Sequence, residues 1–229
     1  MRKIDISYNN QSGASFGVFL YDYPAFSGGA RNYTTTSVPG RRGQLVSTDN
    51  YQENIQIACT FSVISKELLP SIRSLKKWLC GTGQLILNEE PDLFYKVLKI
   101  VPGDIEREIR KYGRFSVTFF CDPYAYTLEG QNEVDSIIYN PYDLSHPIYT
   151  ITGNGTCTLT VNGKSITVNV GQQVTIDTDR MLTYRSDGTL QNSALTGDYE
   201  SLYFPSGEIN IQISAGFSVS IVPNWGYEV

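Results

Sequence analysis

The chain has 229 residues, 41% of them hydrophobic and 18% charged, and a formal net charge of -5. That length suits one large or two ordinary domains, and the composition fits a β-rich globular protein and excludes intrinsic disorder. The charge is unevenly spread: residues 1–130 hold 15 Lys and Arg against 13 Asp and Glu, whereas residues 131–229 hold 3 against 10, so the second part would repel nucleic acid and anionic lipid.

Residues 1–10 are charged and lack the apolar run of a signal peptide, and no segment approaches the ~18 consecutive apolar residues that span a bilayer. Synthesis and folding in cytoplasm, with no membrane partner, is the expectation. Ile4 and Ile6, then Phe16, Val18 and Leu20 after a turn at Gln11-Ser12-Gly13, read as two strands. Residues 21–36, rich in Gly, Ser, Tyr and Thr, read as a mobile loop or long hairpin tip around Gly28-Gly29. Gly40-Arg41-Arg42-Gly43 reads as a tight turn. Ile55, Ile57, Cys59, Phe61 and Val63 then alternate with Gln56, Ala58, Thr60 and Ser62, the period of a half-buried strand.

Ser65 is placed to cap a helix running to Cys80, with Glu67 in its first turn. Pro70 moves the start of the regular part to its own position. Ile72, Leu75, Trp78 and Leu79 make one apolar stripe, Lys76 and Lys77 lie near the C-terminal end, and Gly81 supplies the stop. Residues 85–87, 94–101 and 115–121 complete a sheet beneath this one helix, with Phe115, Val117, Phe119 and Cys121 on a single face. Residues 103–113 read as a charged connection at an exposed hairpin end.

After Tyr126 the composition shifts and Lys and Arg nearly vanish. We place a domain boundary near residue 130, giving domains 1–130 and 131–229, joined by a Pro- and Asn-marked stretch up to Pro147. Asn162-Gly163 is a two-residue hairpin signal. Pairing outward from it sets Leu159 against Ile166 and Cys157 against Val168, which makes one face uniformly apolar and fixes the register. Asp187-Gly188 marks a second hairpin. Ile209, Ile211 and Ile213 alternate, as do Phe217, Val219 and Ile221, so this half reads as a β-sandwich.

The residues offer little catalytic chemistry. His146 is the single histidine; it precedes Pro147 in the interdomain stretch and reads as a linker residue, and no G-x-S-x-G nucleophile turn accompanies it. The four cysteines, Cys59, Cys80, Cys121 and Cys157, lack C-x-x-C spacing and read as buried free thiols rather than a zinc site or disulfides. Glu89, Glu90 and Asp92, then Asp104, Glu106 and Glu108, fall in expected turns, where carboxylates are ordinarily solvated, although a glycosidase pair drawn from distant positions stays open. Asp177-Thr178-Asp179 lacks the glycine and distal glutamate of a calcium loop. We therefore assign no catalytic, cofactor or metal residues. Arg41-Arg42 could touch phosphate or an acidic partner surface, although two adjacent charges in a turn are ordinarily just exposed. Among 16 Tyr and 2 Trp, Tyr203 and Trp225 could stack on sugar; the plainer alternative is that Phe204 and Trp225 close core ends while tyrosines line a protein interface.

The order of these features resembles the distal tail protein (Dit) family of long-tailed bacteriophages. The resemblance rests on the Gly40–Gly43 turn, the alternating strand from Ile55, the helix ending in Trp78-Leu79, the hairpin with Leu85, Pro91-Asp92 and Tyr95, and the close at Phe119, Cys121 and Pro123-Tyr124. It continues through Pro147, Tyr149, Ile151, Gly153 and Gly155, the Asn162-Gly163 hairpin, Phe204-Pro205 with Gly207, Ile209 and Asn210, and Pro223-Asn224-Trp225. Glu208 departs from relatives that carry Asn directly after this glycine. The resemblance implies a mainly β fold, with an N-terminal tail-tube-like β-sandwich bearing one α-helix and a C-terminal galectin-like β-sandwich. It implies a non-enzymatic structural role in the virion: a homo-hexameric ring at the tail tip, joining the tail tube protein to the tail-associated lysin or baseplate, with the C-terminal domains outward and DNA passing without being gripped. The alternative reading is a carbohydrate-binding module that holds neutral glycan in host-surface adhesion.

Overall fold

The structure is a computed structural model that describes the backbone of residues 4–64, 68–109 and 112–229, and side chains except at 49–51, 64, 68–72, 104–109 and 112. The fold is mainly β, with 57% of residues in strands, several antiparallel sheets and one α-helix among the described residues. The chain forms two compact units, Met1–Ala125 with Glu228–Val229, and Tyr126–Tyr227.

The first unit contains β1 (Ile6–Tyr8), β2 (Gln11–Ser12), β3 (Val18–Leu20), β4 (Ala25–Gly28), β5 (Arg31–Thr36), β6 (Leu45–Gln52), β7 (Ile55–Ile64), helix α1 (Leu68–Trp78), β8 (Gly83–Leu87), β9 (Leu93–Ile109) and most of β10 (Tyr112–Thr127). Its main sheet runs β2-β1-β8-β9-β10-β7-β3, with β4 also on β7. The two alternating stretches read from the sequence meet face to face here. Phe61 pairs with Phe115, Cys59 with Val117, Ile57 with Phe119 and Ile55 with Cys121, and all eight side chains are buried. Each large apolar side chain removed from water stabilises the fold by about 1.5–3 kcal/mol. Helix α1 adds Leu75 and Trp78 to this core. Trp78 stacks on Phe16 at 4.7 Å between ring centroids, and its Nε1–H donates to Tyr8 O at 3.1 Å, which settles the one polar atom the indole buries.

Several local expectations differ. The first reversal falls on Asn9-Asn10, both left-handed (φ 50° and 61°). Gln11-Ser12 pairs back on Ser7-Tyr8, and a 3-10 turn Gly13–Phe16 follows, with Ser12 Oγ accepting the Ala14 N–H. Asn tolerates positive φ because its side chain bonds locally. The described helix already runs at Leu68, ahead of Pro70. Proline fits there because first-turn N–H groups have no intrahelical partner. The expected Ser65 cap and Glu67 lie outside the described residues. Residues 103–113 are largely strand rather than connection, since β9 continues to Ile109 and β10 starts at Tyr112. Residues 21–36 are not a loop: β4 pairs with β7 and β5 with β6.

The second unit holds β11 (Tyr139–Asn140), β12 (Ile148–Val161), β13 (Lys164–Asp177), β14 (Leu182–Tyr184), β15 (Leu195–Thr196), β16 (Gly207–Glu208), β17 (Ile211–Ile213), β18 (Ser218–Val222) and the start of β19 (Gly226–Glu228). β12 and β13 pair along their whole lengths, Leu159 against Ile166 and Cys157 against Val168. Asn162 and Gly163 both take positive φ, 48° and 80°, the conformation a two-residue primed turn demands. β17 and β18 lie on the other edge of β12. The core gathers Tyr149, Ile151, Leu159, Val168, Phe204 and Ile221. The stretch up to Pro147 is packed into this unit rather than being a free linker. Val134 bridges Ile221, Ser145 bridges Phe204, and buried Asn140 donates from Nδ2 to Phe204 O at 3.1 Å. Its Asn and Pro residues mark irregular backbone, several of whose polar groups the Asn140 side chain then satisfies.

Candidate functional site

β5 and β6 form a two-stranded sheet of their own. The loop joining them carries Arg41 and Arg42, both exposed. Gly40 and Gly43 take φ of 81° and 84°, and the Arg41 N–H donates to Val38 O at 3.1 Å, so the predicted tight turn is the tip of an arm. Every side chain from residue 30 to 48 is exposed, including Tyr33 at 64% and Val46 at 59%. A two-stranded hairpin alone in water is marginal at best. The base of the arm is held more firmly. Arg31 pairs with Glu228, Gln52 Nε2 donates to Val229 O at 2.9 Å, and Tyr124 Oη donates to Glu228 Oε1 at 3.4 Å. Gly29 sits at φ 74°, where an added Cβ would stand 2.6 Å from Val229 O. The sequence reading missed both strands of this arm. Their signal was the β-branched run Thr34-Thr35-Thr36 and the pair Leu45-Val46, masked by surrounding Gly, Ser and Asn.

The two aromatic candidates have different ring partners. Trp225 is half-buried against Tyr142 at 5.5 Å, and Tyr142 in turn meets Tyr227 edge-on at 5.2 Å. Trp225 Nε1 is enclosed without a hydrogen-bond partner, so this indole is partly consumed by packing. Tyr203 meets the ring of His146 at 4.3 Å, and its phenol is pushed up by burial first, then by the carboxylates of Glu200 and Asp179. His146 Nδ1 lies 3.7 Å from Asp179 Oδ1, so the histidine belongs to a side-chain cluster rather than to a linker.

The remaining reactive groups are dispersed. Cys59, Cys121 and Cys157 are buried, but Cys80 is exposed, a correction to its reading as a buried thiol. It falls one residue past the inward pair Trp78-Leu79, where the helix has ended, and its Sγ donates to Lys77 O at 2.9 Å. Glu89, Glu90 and Asp92 are exposed between β8 and β9, with Glu90 Oε2 accepting from Tyr95 Oη at 3.3 Å. The side chains of Asp104, Glu106 and Glu108 lie outside the described residues. Asp177 is buried and turns inward on its own loop, its Oδ1 accepting the Arg180 N–H at 3.0 Å. No group of three or more His, Cys, Asp or Glu that could hold a metal ion occurs among the described residues. A cavity of about 320 Å³ beside α1 is walled by Leu75, Leu79, Ile100, Pro102, Phe115 and Val117, with Lys76 and Cys80 as the polar side chains of its lining. No helix among the described residues is long and apolar enough to cross a membrane.

Fold and surface together define a class: a mainly β protein of two units whose exposed features are sheet edges, an arm and aromatic side chains. The particular solved structure it is similar to is the crystal structure of SPP1 Dit, the gp 19.1 protein, described as a paradigm of the hub adsorption apparatus in phages that infect Gram-positive bacteria. The two share a TM-score of 0.67 over 96% of this chain and 98% of that one, at 12% sequence identity. The chain thus has the fold of a siphophage distal tail protein, and the resemblance drawn from its motifs holds at the level of fold. No protein-family model matches the sequence, and no curated protein matches it.

Proposed function

We propose that this chain is a structural component of a long-tailed phage tail tip, without enzymatic activity, which closes into a homo-hexameric ring and joins the tail tube to the baseplate or tail-associated lysin. In this reading residues 1–130 form the ring and residues 131–229 make a galectin-like sandwich. The protein is made in the bacterial cytoplasm and ends in the virion, with no membrane or specific nucleic-acid partner. One observation supports the reading beyond fold similarity: the β5–β6 arm exposes apolar side chains and, among the described strands, forms a two-stranded sheet of its own. Such a hairpin gains stability when another protein surface covers it, and a second copy placed head to tail supplies that surface while leaving its own arm for the next, which closes a ring. The Arg41-Arg42 tip suits an acidic partner surface.

The test is an antibody raised against this chain and imaged on intact virions. Label confined to the tail tip supports the reading. Label on the head or along the tube, or none on the virion, contradicts it.

A further inference from the structure

The cavity beside α1 reaches the surface where Lys76, Cys80 and Pro102 line it, all three exposed. Its apolar walls include Leu75, Leu79, Phe115 and Val117, each buried. At about 320 Å³ it exceeds the roughly 150 Å³ at which an apolar cavity already takes a benzene-sized guest, so one large apolar side chain fits. The charges around it select that guest. Arg73, Lys76 and Lys77 share one face of α1 and are exposed, and no Asp or Glu lies between Glu67 and Glu89. Residues 104–111 add three acidic and three basic residues, which cancel. An apolar anchor with acidic neighbours therefore suits this cavity, and one with basic neighbours is repelled.

The chain itself carries such an anchor. Ile138 is 82% exposed, more than any other large apolar side chain among the described residues. The backbone holds it outward: Ile137 beside it is buried in the core, Ile138 O accepts the Ile209 N–H at 3.0 Å, and the adjoining Tyr139 pairs with Glu208. An anchor fixed in advance loses little freedom on docking. Asp135, three residues before it, and Glu208 are both exposed, and no Lys or Arg occurs between Arg114 and Lys164. Other exposed apolar side chains match less well. Tyr33 stands on the arm with Arg31, Arg41 and Arg42, and Leu190 lies beside Gln191, which accepts from Arg185 Nε.

We infer that Ile138 of one copy seats in the α1 cavity of a second copy, with Asp135 and Glu208 facing Arg73 and Lys76 across the contact. Anchor and cavity are different parts of one chain, so the contact is head to tail and each copy offers both halves of it. The inference rests on the reading that copies associate, and deepens it: a contact from the second unit of one copy to the first unit of the next joins the one made by the arm.

Cys80 makes this testable, since it lines the cavity and is exposed while the other three cysteines are buried. In Ile138→Cys the new thiol stands against Cys80 of the neighbouring copy, and oxidised glutathione should link the two. We expect a ladder of reducible oligomers on denaturing gels run without reductant, and little of it for Leu190→Cys, whose position is also well exposed at 63%. Light scattering on unlinked protein should show self-association weakened roughly tenfold or more in Ile138→Ser, as for one large apolar side chain returned to water, and weakened also in Lys76→Glu. Unfolding temperatures check that these exposed substitutions leave the fold intact. A parent that associates while Ile138→Cys gives no ladder, or only a link within one chain, overturns the inference and leaves the ring reading standing. Association unchanged in Ile138→Ser does the same, whereas a parent that stays monomeric overturns both.

Discussion

Cys80 and Cys121 are the same side chain in opposite circumstances. Burial pushes the Cys121 thiol up to about 12, helped by the neighbouring Asp122, and the Cys59 thiol likewise, helped by Cys121. Since the thiolate is the reactive form, a maleimide or disulfide reagent near neutral pH should modify Cys80 alone in the folded protein, with the other three reacting only on unfolding. Peptide mass mapping checks this, and equal labelling of Cys59 or Cys121 would contradict the packing described. The same shifts set a pH dependence. The folded-state values lie above the ordinary 9.0, so the stability these thiols contribute is complete below about pH 9 and is lost as pH rises toward 12. Urea midpoints should therefore fall across that window, and a flat profile would contradict it. Burial of Cys59, Cys121 and Cys157 was legible because each sits in phase with an alternating strand. The exposure of Cys80 was not, because helical phase gives no guide two residues past the helix end.

At the scale of elements, legibility followed the strength of the local signal. The β12–β13 register could be written down from Asn162-Gly163, because that dipeptide fixes the turn and a slip by one residue would put Leu159, Ile166 and Val168 in water. The arm could not, because its strands bury nothing within the described structure and so carry no alternation. Two glycines test these elements by different physics. Gly163 has open space where a Cβ would go, and only its φ of 80° is at stake; Gly163→Ala should cost about 1–2 kcal/mol, the usual penalty of left-handed backbone, read from the urea midpoint. Gly29→Ala adds a clash with Val229 O to a similar φ. It should release the base of the arm, and limited proteolysis should then cut between residues 30 and 52 faster than in the parent. Unchanged cutting would show that the base contacts do not hold the arm.

For the whole molecule, fold class was readable from patterning, whereas assembly entered only through the family resemblance. Period-two patterning with turn signals reports how each unit buries its own face, and the mainly β architecture follows. The ring proposed here would leave no periodicity in the sequence, only exposed apolar residues such as Tyr33 and Val46, which the folding of one chain leaves unexplained. Tyr203 was legible as an aromatic candidate, but its edge-on contact with His146 was not, since only the fold of the second unit brings residues 57 positions apart together. The account rests on copies of this chain closing on one another through the arm. Light scattering on the full chain across a concentration series, with negative-stain images of the same samples, tests that most directly. We predict a closed six-membered ring that falls apart into folded monomers when residues 33–48 are replaced by a short glycine-serine turn. A parent chain that stays monomeric at the highest concentration, even with the tail tube protein added, would contradict the account.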